Sequence, residues 1–364
     1  MIKVVDRNKE AVPYEAKTMR YSFHLTSLAV LALAGCAALQ GNWASQATPT
    51  VLPADAMLRP VAVPAPPDNV PNEARVELGR ALFFDPRLSG SAMISCATCH
   101  NPALAWADGQ PTAVGDGAKR LSRKTPTVLN TAYQPLQMWD GRKTSLEDQA
   151  LGPIGSPVEM NMPLEKMTEH LRAIPGYAPM FERAYPGQGV GPATVAKAIA
   201  SYERTIVSTE SPFDRWRKGE PQAVGDDVKR GFALFNSKAR CAMCHQGWNF
   251  TDNGFHNIGL RALPGEAEDD GRFAHRKIKV LKGAFKTPTL RDVALTAPYM
   301  HDGQYRTLEE VVDHYDRGGD DKSNLSPNLQ PLGLTAQEKA DLVAFMRSLT
   351  GAPMVVVVPR LPAS

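Results

Sequence analysis

The sequence predicts a mainly α fold made of two tandem domains with long loops. Apolar residues recur at helical spacing in two segments, one starting at Pro192 and one following Thr335. No stretch alternates apolar and polar residues well enough to predict a sheet. The 30 prolines favour short helices separated by loops. Two long stretches of the chain repeat each other, which predicts the tandem arrangement.

Composition places the chain among ordinary globular proteins. Its 364 residues fit two domains better than one. Apolar residues make up 43% and charged residues 22%, which excludes a disordered chain, a coiled coil and a multi-span membrane protein. The 41 basic and 38 acidic residues nearly balance, whereas a nucleic-acid-binding protein carries a basic footprint. We therefore expect no nucleic-acid partner.

The N-terminal residues predict export and a lipid anchor. An apolar stretch over residues 25–34 is too short to span a bilayer and is typical of a signal-peptide core. It runs into Leu-Ala-Gly-Cys at residues 33–36, which resembles the lipobox of bacterial lipoproteins. The alternative is an ordinary cleavage site followed by a chance cysteine. We expect a periplasmic protein held at the outer membrane through Cys36, with a signal peptide over 1–36 (or starting at Met19) and a proline-rich spacer over 37–71.

The other four cysteines form two copies of one short motif. Residues 96–100 and 241–245 both read Cys-x-x-Cys-His, the signature of covalent c-type haem attachment. In each copy two thiols bind the vinyl groups of a haem and the adjacent histidine binds the iron. Structural zinc and disulfides are the alternatives, but they leave both histidines unexplained. The prediction is thus two c-type cytochrome domains, with haems replacing much of the core. The residues assigned to the two haems are Cys96, Cys99, His100, Cys241, Cys244 and His245.

A second repeated pattern follows each haem motif. Thr-Pro-Thr stands at residues 125–127 and again at 287–289, and equal spacing then leads to an x-Asp-Gly triplet headed by Trp139 or by His301. The repeat predicts two cytochrome domains in tandem. We expect the haem of the N-terminal domain to have an open sixth position at its iron, and the haem of the C-terminal domain to transfer electrons. We place them at 72–220 and 221–352, with a tail over 353–364.

The repeat also predicts what lies over each iron. Pro153 and Tyr315 lie at equal distances after the two triplets. Proline has no side-chain donor, which predicts an open first haem, whereas a tyrosine phenolate can close the second haem as its sixth ligand. Met300 and Met346 are alternative ligands. A lone tyrosine is otherwise most often a buried residue bonded to a carbonyl.

An open haem that activates peroxide needs a proton-transferring group nearby. Gln149 and Glu159 bracket Pro153, and we expect both to face the same pocket. Histidines are scarce, so a carboxylate is the favoured acid and base. The alternative for Glu159 is a solvated surface residue.

Taken together, these motifs resemble the bacterial dihaem cytochrome c peroxidase family, and within it the MauG-type enzymes. The resemblance extends from about residue 72 to residue 349. Its specific motifs are both Cys-x-x-Cys-His sites and the segments 138–142, 285–291 and 295–303.

The resemblance implies roles for several residues. By family analogy Trp139 lies between the haems and relays electrons, while Gln149, Pro153 and Glu159 form the distal pocket of the first haem. Tyr315 stands where typical peroxidases have a methionine ligand and where MauG-type proteins have tyrosine. The MauG-type interpretation depends on this position.

Two departures from the typical family pattern bear on the cofactors. Asp116 stands where typical peroxidases have a histidine that closes the first haem until reduction, so the resemblance implies a first haem ready for peroxide. Lys124 stands where the family has an asparagine ligand to an interhaem calcium. Carbonyls of Thr296 and Pro298 match other calcium ligands, but the Lys124 ammonium is an alternative to the ion, and calcium stays an open expectation.

The resemblance implies a periplasmic enzyme that uses hydrogen peroxide to store two oxidising equivalents across both haems and Trp139. In MauG-type relatives these equivalents oxidise Trp or Tyr residues of a partner protein. One alternative is a cytochrome c peroxidase that reduces peroxide to water with electrons from a small cytochrome or cupredoxin. The other is a non-enzymatic dihaem electron-transfer module, which would have no use for an open haem beneath a carboxylate.

Overall fold

The computed structural model describes residues 57–363, and Cys36, the signal peptide and the first part of the predicted spacer lie outside this range. The described residues are mainly helical, as predicted. They contain one small antiparallel sheet, in which β1 (Phe255–His256) pairs with β2 (Phe285–Lys286). Strands of two residues leave no alternation to detect in the sequence. The α-helices in this range are α1 (Glu73–Phe84), α2 (Cys96–Cys99), α3 (Leu146–Gly155), α4 (Leu164–Ala173), α5 (Tyr177–Ala184), α6 (Pro192–Glu203), α7 (Pro212–Arg217), α8 (Asp226–Phe235), α9 (Leu308–Asp316) and α10 (Ala336–Ser348).

Helices α1 and α6 form the centre of the first domain. The side chain of Asn72 caps α1, and α6 starts at Pro192 as the apolar spacing predicted. The two helices touch at Gly79, where a Cβ atom would lie 1.9 Å from the carbonyl oxygen of Ala198. Only glycine allows this approach of two backbones. Large side chains at the centre of this core include Leu78, Phe83, Trp106, Tyr177 and Tyr202.

Helices α8 and α10 repeat this arrangement in the second domain. A Cβ atom at Gly231 would lie 2.0 Å from the carbonyl oxygen of Asp341. The predicted capping box at the start of α10 is present, because Thr335 and Glu338 bond each other's backbone N–H groups. The structure therefore confirms two tandem domains of one design. The core of the second domain is built on edge-to-face or tilted aromatic pairs among Phe213, Phe232, Phe235, Phe250 and Phe345. Phe213 lies before the predicted boundary at residue 221, because α7 packs on this core.

The two repeats exchange backbone hydrogen bonds across the domain interface. The N–H of Lys124 donates to the carbonyl of His301 at 2.7 Å, and the N–H of Lys286 donates to the carbonyl of Trp139 at 2.8 Å. Each residue that precedes Thr-Pro-Thr in one domain thus binds the residue that heads the triplet in the other. Arg123 adds an ionic contact, since it pairs with Asp140 at 2.6 Å and with Asp269 at 2.7 Å.

Both ends of the described chain pack against the two domains. Met57 lies in the core of the second domain, and Arg59 donates to the carbonyl of Ser208 at 3.1 Å. Asn69 is fully buried and donates to Glu147 of α3 at 2.8 Å. The predicted spacer over 37–71 is therefore too long at its C-terminal end, because residues from Met57 onwards contact the folded domains.

The C-terminal tail returns to the first domain. Met354 and Val356 pack against its core, and Pro362 lies beside Gly176. Thr209 donates its hydroxyl to the carbonyl of Ala352 at 2.6 Å. The tail therefore runs from the end of α10 across the other domain. Among the residues that the structure describes, no helix is long and apolar enough to cross a membrane.

Candidate haem and active site

A large cavity lies between the two domains. Its volume is about 1040 Å³, at the upper end of the roughly 300–1,000 Å³ that ligand pockets occupy. Both Cys-x-x-Cys-His motifs open into it, and so do all the other predicted site residues. These are Trp139, Gln149, Pro153, Glu159, Tyr315, Thr296 and Pro298.

The proximal histidines are held in the same way in both domains. The ring Nδ1–H of His100 donates to the carbonyl of Trp106 at 3.2 Å, and that of His245 donates to the carbonyl of Phe250 at 2.9 Å. This bond orients the ring so that the other nitrogen, Nε2, is the one that would bind a metal. Burial lowers the pKa of both imidazoles, which keeps them neutral and able to bind iron.

The cysteines do not form the alternative sites considered from the sequence. Within the described residues none of the four forms a disulfide. Among the described residues, one cluster could hold a metal ion, formed by Cys244, Asp252 and His256, and it contains a single cysteine. A zinc site built from all four cysteines is therefore not present. Burial raises the pKa of Cys96 and of Cys241 to about 12, so neither is a thiolate at neutral pH.

Two buried lysines in the cavity wall indicate that a ligand with negatively charged groups, such as haem, fits the cavity. Lys124 and Lys286 are only 5% and 7% exposed, and both line the cavity. Lys124 Nζ donates to the carbonyl of Thr125 at 3.2 Å, and Lys286 Nζ donates to the side-chain oxygen of Gln134. Burial lowers the pKa of both ammonium groups, that of Lys286 to about 8. Neither lysine forms an ion pair within the described range, so the propionate carboxylates of haem would supply the missing anions.

The open face predicted for the first haem is built on α3. Its N-terminus is capped by Ser145, and Pro153 lies inside the helix. Gln149, one turn before Pro153, also faces the cavity, where its Nε2 lies 3.9 Å from the sulfur of Met138. These side chains form a wall in which proline offers no ligand atom and glutamine offers a hydrogen-bond donor.

Glu159 reaches the same cavity from the loop after α3. A Cβ atom at Gly115 would lie 2.0 Å from the carbonyl of Val158, so this glycine lets the two segments meet. The N–H of Asp116 donates to the carbonyl of Glu159 at 2.6 Å and fixes its backbone. The Glu159 side chain is half-buried and lines the cavity, which favours the pocket position over a solvated surface residue.

The Asp116 side chain does not face the cavity. Its carboxylate accepts hydrogen bonds from Ser91 and, at 3.3 Å, from Asn161. It is not among the described residues that line the cavity. The Asp116 carboxylate is therefore held by these two side chains and not by a group in the cavity.

Tyr315 reaches the cavity from α9, beside the second haem motif. Burial raises its pKa, and the neighbouring Cys244 and Cys241 raise it further. Within the described residues its hydroxyl has no hydrogen-bond partner, so the alternative of a tyrosine bonded to a carbonyl is not observed. Met300 and Met346, the alternative ligands, line the same cavity as Tyr315.

Trp139 joins the two domains. Its indole Nε1–H donates to the carbonyl of Lys124 at 2.9 Å, and its own carbonyl accepts from Lys286. Its counterpart His301 also lines the cavity and stacks on Phe285, with ring centroids 3.6 Å apart. An aromatic side chain from each repeat thus lies in the wall between the two haem motifs.

The proposed calcium position stays a prediction. Thr296 and Pro298 lie in the cavity wall together with Lys124. The carbonyl of Lys124 already accepts the indole N–H of Trp139. The buried Lys124 side chain places a positive charge in this region.

Sequence reasoning missed two groups in the cavity. Lys286 and Glu203 are both buried there. The repeat contains a signal for each of them, because Lys286 occupies the place of Lys124, and Glu203 occupies the place that Met346 has in the second domain.

The fold and the site together define a two-haem c-type cytochrome, and comparison with known proteins names its family. Residues 73–222 match the family model described as di-haem cytochrome c peroxidase, and residues 228–350 match the model described as cytochrome c. The chain belongs to the di-haem cytochrome c peroxidase family. It is an enzyme that acts on peroxide, uses two haem c cofactors and exchanges electrons with a redox partner protein.

Named relatives cover most of the chain. The methylamine utilization protein MauG of Methylorubrum extorquens is 50% identical over 84% of this chain and 86% of its own. The protein of that name from Methylophilus methylotrophus is 41% identical over 85% and 92%. The cytochrome c551 peroxidase of Pseudomonas aeruginosa is 38% identical over 80% and 83%. A solved MauG-like protein associated with microbial copper homeostasis has a TM-score of 0.75 and 32% identity, covering 80% of this chain and 95% of that one.

Proposed function

We propose that the protein is a MauG-type peroxidase that oxidises Trp or Tyr side chains of a partner protein at the expense of hydrogen peroxide. The observation that carries the proposal is Tyr315, whose phenol lies in the cavity beside Cys241 and Cys244 without a hydrogen-bond partner in the described chain. An iron ligand at this place satisfies the phenol oxygen. The two relatives named MauG, at 50% and 41% identity, support the same assignment.

The residues around the first haem motif have complementary tasks. Bound haem supplies the iron at which peroxide reacts and on which oxidising equivalents are held. His100 would hold that iron, and Pro153 would offer it no ligand atom. The Glu159 carboxylate accepts a proton from peroxide and returns it to the leaving oxygen, while the Gln149 amide donates a hydrogen bond that orients the peroxide.

Trp139 is positioned to connect the two haem sites. Its indole N–H donates to the backbone carbonyl of Lys124, and its own backbone carbonyl accepts from the N–H of Lys286. Both lysines are buried. These bonds hold the ring in one orientation across the domain interface. An aromatic ring held in this way passes electrons between the sites without moving.

Simple peroxide removal is the second candidate function. It is favoured by Met300 and Met346, which line the cavity near Tyr315 and would give the second haem a methionine ligand. The relative named cytochrome c551 peroxidase agrees with it. In that case the electrons come from a small cytochrome or cupredoxin.

The cellular location belongs to the same proposal. We place the enzyme in the periplasm, held at the outer membrane by a lipid on Cys36, on the grounds of the lipobox-like residues 33–36. Both candidate functions are compatible with this place, because haem is attached to c-type cytochromes outside the cytoplasm.

Mass mapping of the host's exported proteins tests the main function. Three strains are compared: one with the wild-type chain, one without it, and one with Glu159→Gln. The proposal expects Trp or Tyr residues of one exported protein to gain oxygen or a cross-link in the wild-type strain only. If no protein differs, and the purified wild-type enzyme oxidises a reduced small cytochrome c with peroxide, peroxide removal is the function instead.

A further inference from the structure

Glu203 is a buried carboxyl that none of the roles above uses. It is the last residue of α6, it is 6% exposed, and it lines the cavity together with Ile199, one helical turn earlier. Its Oε2 atom is buried with no hydrogen-bond partner in the described part of the chain. A buried polar atom without a partner costs stability. Packing therefore does not explain a carboxyl at this place.

The second domain shows which side chain would pack here. Gly79 meets Ala198 and Tyr202, and its counterpart Gly231 meets Asp341 and Phe345. Tyr202 therefore corresponds to Phe345. The next residue in each chain segment is Glu203 in the first domain and Met346 in the second, so these two residues are equivalent. Both residues line the cavity and both are buried. An apolar side chain thus fills the equivalent place in the second domain, and the carboxyl belongs to the first domain alone.

The charges near Glu203 do not neutralise it. Two charged side chains influence the Glu203 carboxyl: Arg204, the next residue, and Glu147 of α3. Within the described residues, no charged side chain of α1 or α4 influences it. Arg204 is already paired with Glu147 at 2.8 Å, and Asn69 donates to the same carboxylate. Burial raises the pKa of Glu203 to about 8, so the group carries a proton at neutral pH.

Glu203 also lies close to the attachment point of the first haem. After burial, its charge is the largest influence that raises the pKa of the Cys96 thiol. A charge that changes on this carboxyl is therefore felt at the first haem, and a charge that changes on the haem is felt at the carboxyl. The two are linked in both directions, as binding equilibria of protons and electrons must be.

We propose that Glu203 is the redox-linked proton site of the first haem domain, protonated when the domain is reduced and ionised when it is oxidised. One electron leaves the domain and goes to peroxide during turnover, or to an electrode. One proton leaves the Glu203 carboxyl for bulk water. The carboxylate that remains balances the positive charge that the electron left behind, inside a cavity where an unbalanced charge is costly. The proposal holds for either candidate function.

Spectroelectrochemical titration of the full-length holoprotein tests the proposal. The reduction potentials of both haems are measured over a pH series on both sides of neutrality. We expect the potential of the first haem to fall as pH rises, by about one proton per electron in the range between the two pKa values of the carboxyl. Glu203→Gln, which keeps the shape and removes the titration, loses this dependence at the first haem and leaves the second haem unchanged.

Two matched variants and a second measurement make the test decisive. Glu165→Gln changes an exposed carboxyl and keeps the wild-type pH dependence. Infrared difference spectra between the reduced and oxidised wild type show the loss of a protonated carboxyl band, and this band is missing in Glu203→Gln. The proposal is overturned if Glu203→Gln retains the pH dependence, or if Glu159→Gln removes it in its place.

Discussion

Tyr315 and Pro153 are the residues on which the expected division of labour between the two haem sites depends. They hold equivalent places in the two repeats, and both line the cavity. Proline has no donor atom, whereas the half-buried Tyr315 offers a phenol that has no hydrogen-bond partner among the described residues. The difference predicts one open iron and one iron with two protein ligands.

Replacement of Tyr315 by phenylalanine tests the closed site. We expect Tyr315→Phe to abolish the low-spin signal of the second haem in electron paramagnetic resonance of the oxidised protein, because phenylalanine has no ligand atom. The high-spin signal of the first haem stays. An unchanged low-spin centre would identify Met300 or Met346 as the ligand and would favour simple peroxide removal.

Replacement of Glu159 by glutamine tests the open site. We expect Glu159→Gln to slow the reaction with peroxide by roughly 100-fold or more, the usual scale for the loss of a general acid and base. Stopped-flow mixing with hydrogen peroxide measures the rate, and the low-spin signal of the second haem serves as an internal control. Glu165→Gln, an exposed carboxyl on α4, is expected to react at the wild-type rate. A wild-type rate for Glu159→Gln would assign proton transfer to another group.

At the residue scale, the sequence predicts a functional residue when a short motif marks it, and misses one whose special property comes from burial. Cys96, His100 and their counterparts lie within five-residue motifs, so the sequence alone predicts them. Glu203 and Lys286 become unusual only because folding buries them, and no local pattern records burial. Their partners in the repeat, Met346 and Lys124, could have drawn attention to both.

At the scale of elements, both domains depend on a glycine contact between two helices. A Cβ atom would lie 1.9 Å from a backbone oxygen at Gly79 and 2.0 Å from one at Gly231. If a side chain replaces the glycine hydrogen, the facing backbone cannot move aside as the end of a flexible side chain can. The two helices must then separate.

We therefore expect Gly79→Ala and Gly231→Ala each to destabilise the protein by about 1–3 kcal/mol, the usual cost of overpacking. Thermal unfolding of the holoprotein measures the effect. Gly152→Ala in α3 is the matched control, since its Cβ would come no closer than 3.6 Å to a neighbour, the flexible end of Lys143. Equal melting temperatures for Gly79→Ala and Gly152→Ala would contradict the close helix contact.

The helices themselves were largely predictable. Periodic apolar residues and end signals gave the start of α6 at Pro192 and the capping box of α10. The paired strands β1 and β2 were not, because they are only two residues long. The path of residues 57–71 over the folded domains was missed for a related reason: proline-rich sequence predicts an extended chain but not the surface that it lies on.

At the scale of the whole molecule, Trp139 is bonded to both domains, and we propose that it relays electrons between them. We expect Trp139→Phe to leave the peroxide reaction at the first haem intact and to delay or abolish the spectral change at the second haem, because phenylalanine is harder to oxidise and lacks the N–H bonded to Lys124. Rapid-scan optical spectra after peroxide addition separate the two events. Trp216 packs against the core of the second domain and is outside the cavity lining, so Trp216→Phe is expected to keep both spectral changes. Simultaneous changes at both haems in Trp139→Phe would show that electrons take another route.

The path of the C-terminal tail has a consequence for how the molecule comes apart. Met57 packs in the core of the second domain, and the tail leaves that domain to pack on the first through Met354, Val356 and Pro362. The chain therefore joins the domains once through the peptide between α6 and α7, and again through the non-covalent contacts of both its described ends. A protease that cuts the segment between α6 and α7 therefore yields a nicked protein that migrates as one particle in native conditions. The two fragments separate only in denaturant, because the backbone bonds from Lys124 to His301 and from Lys286 to Trp139 also hold the domains together.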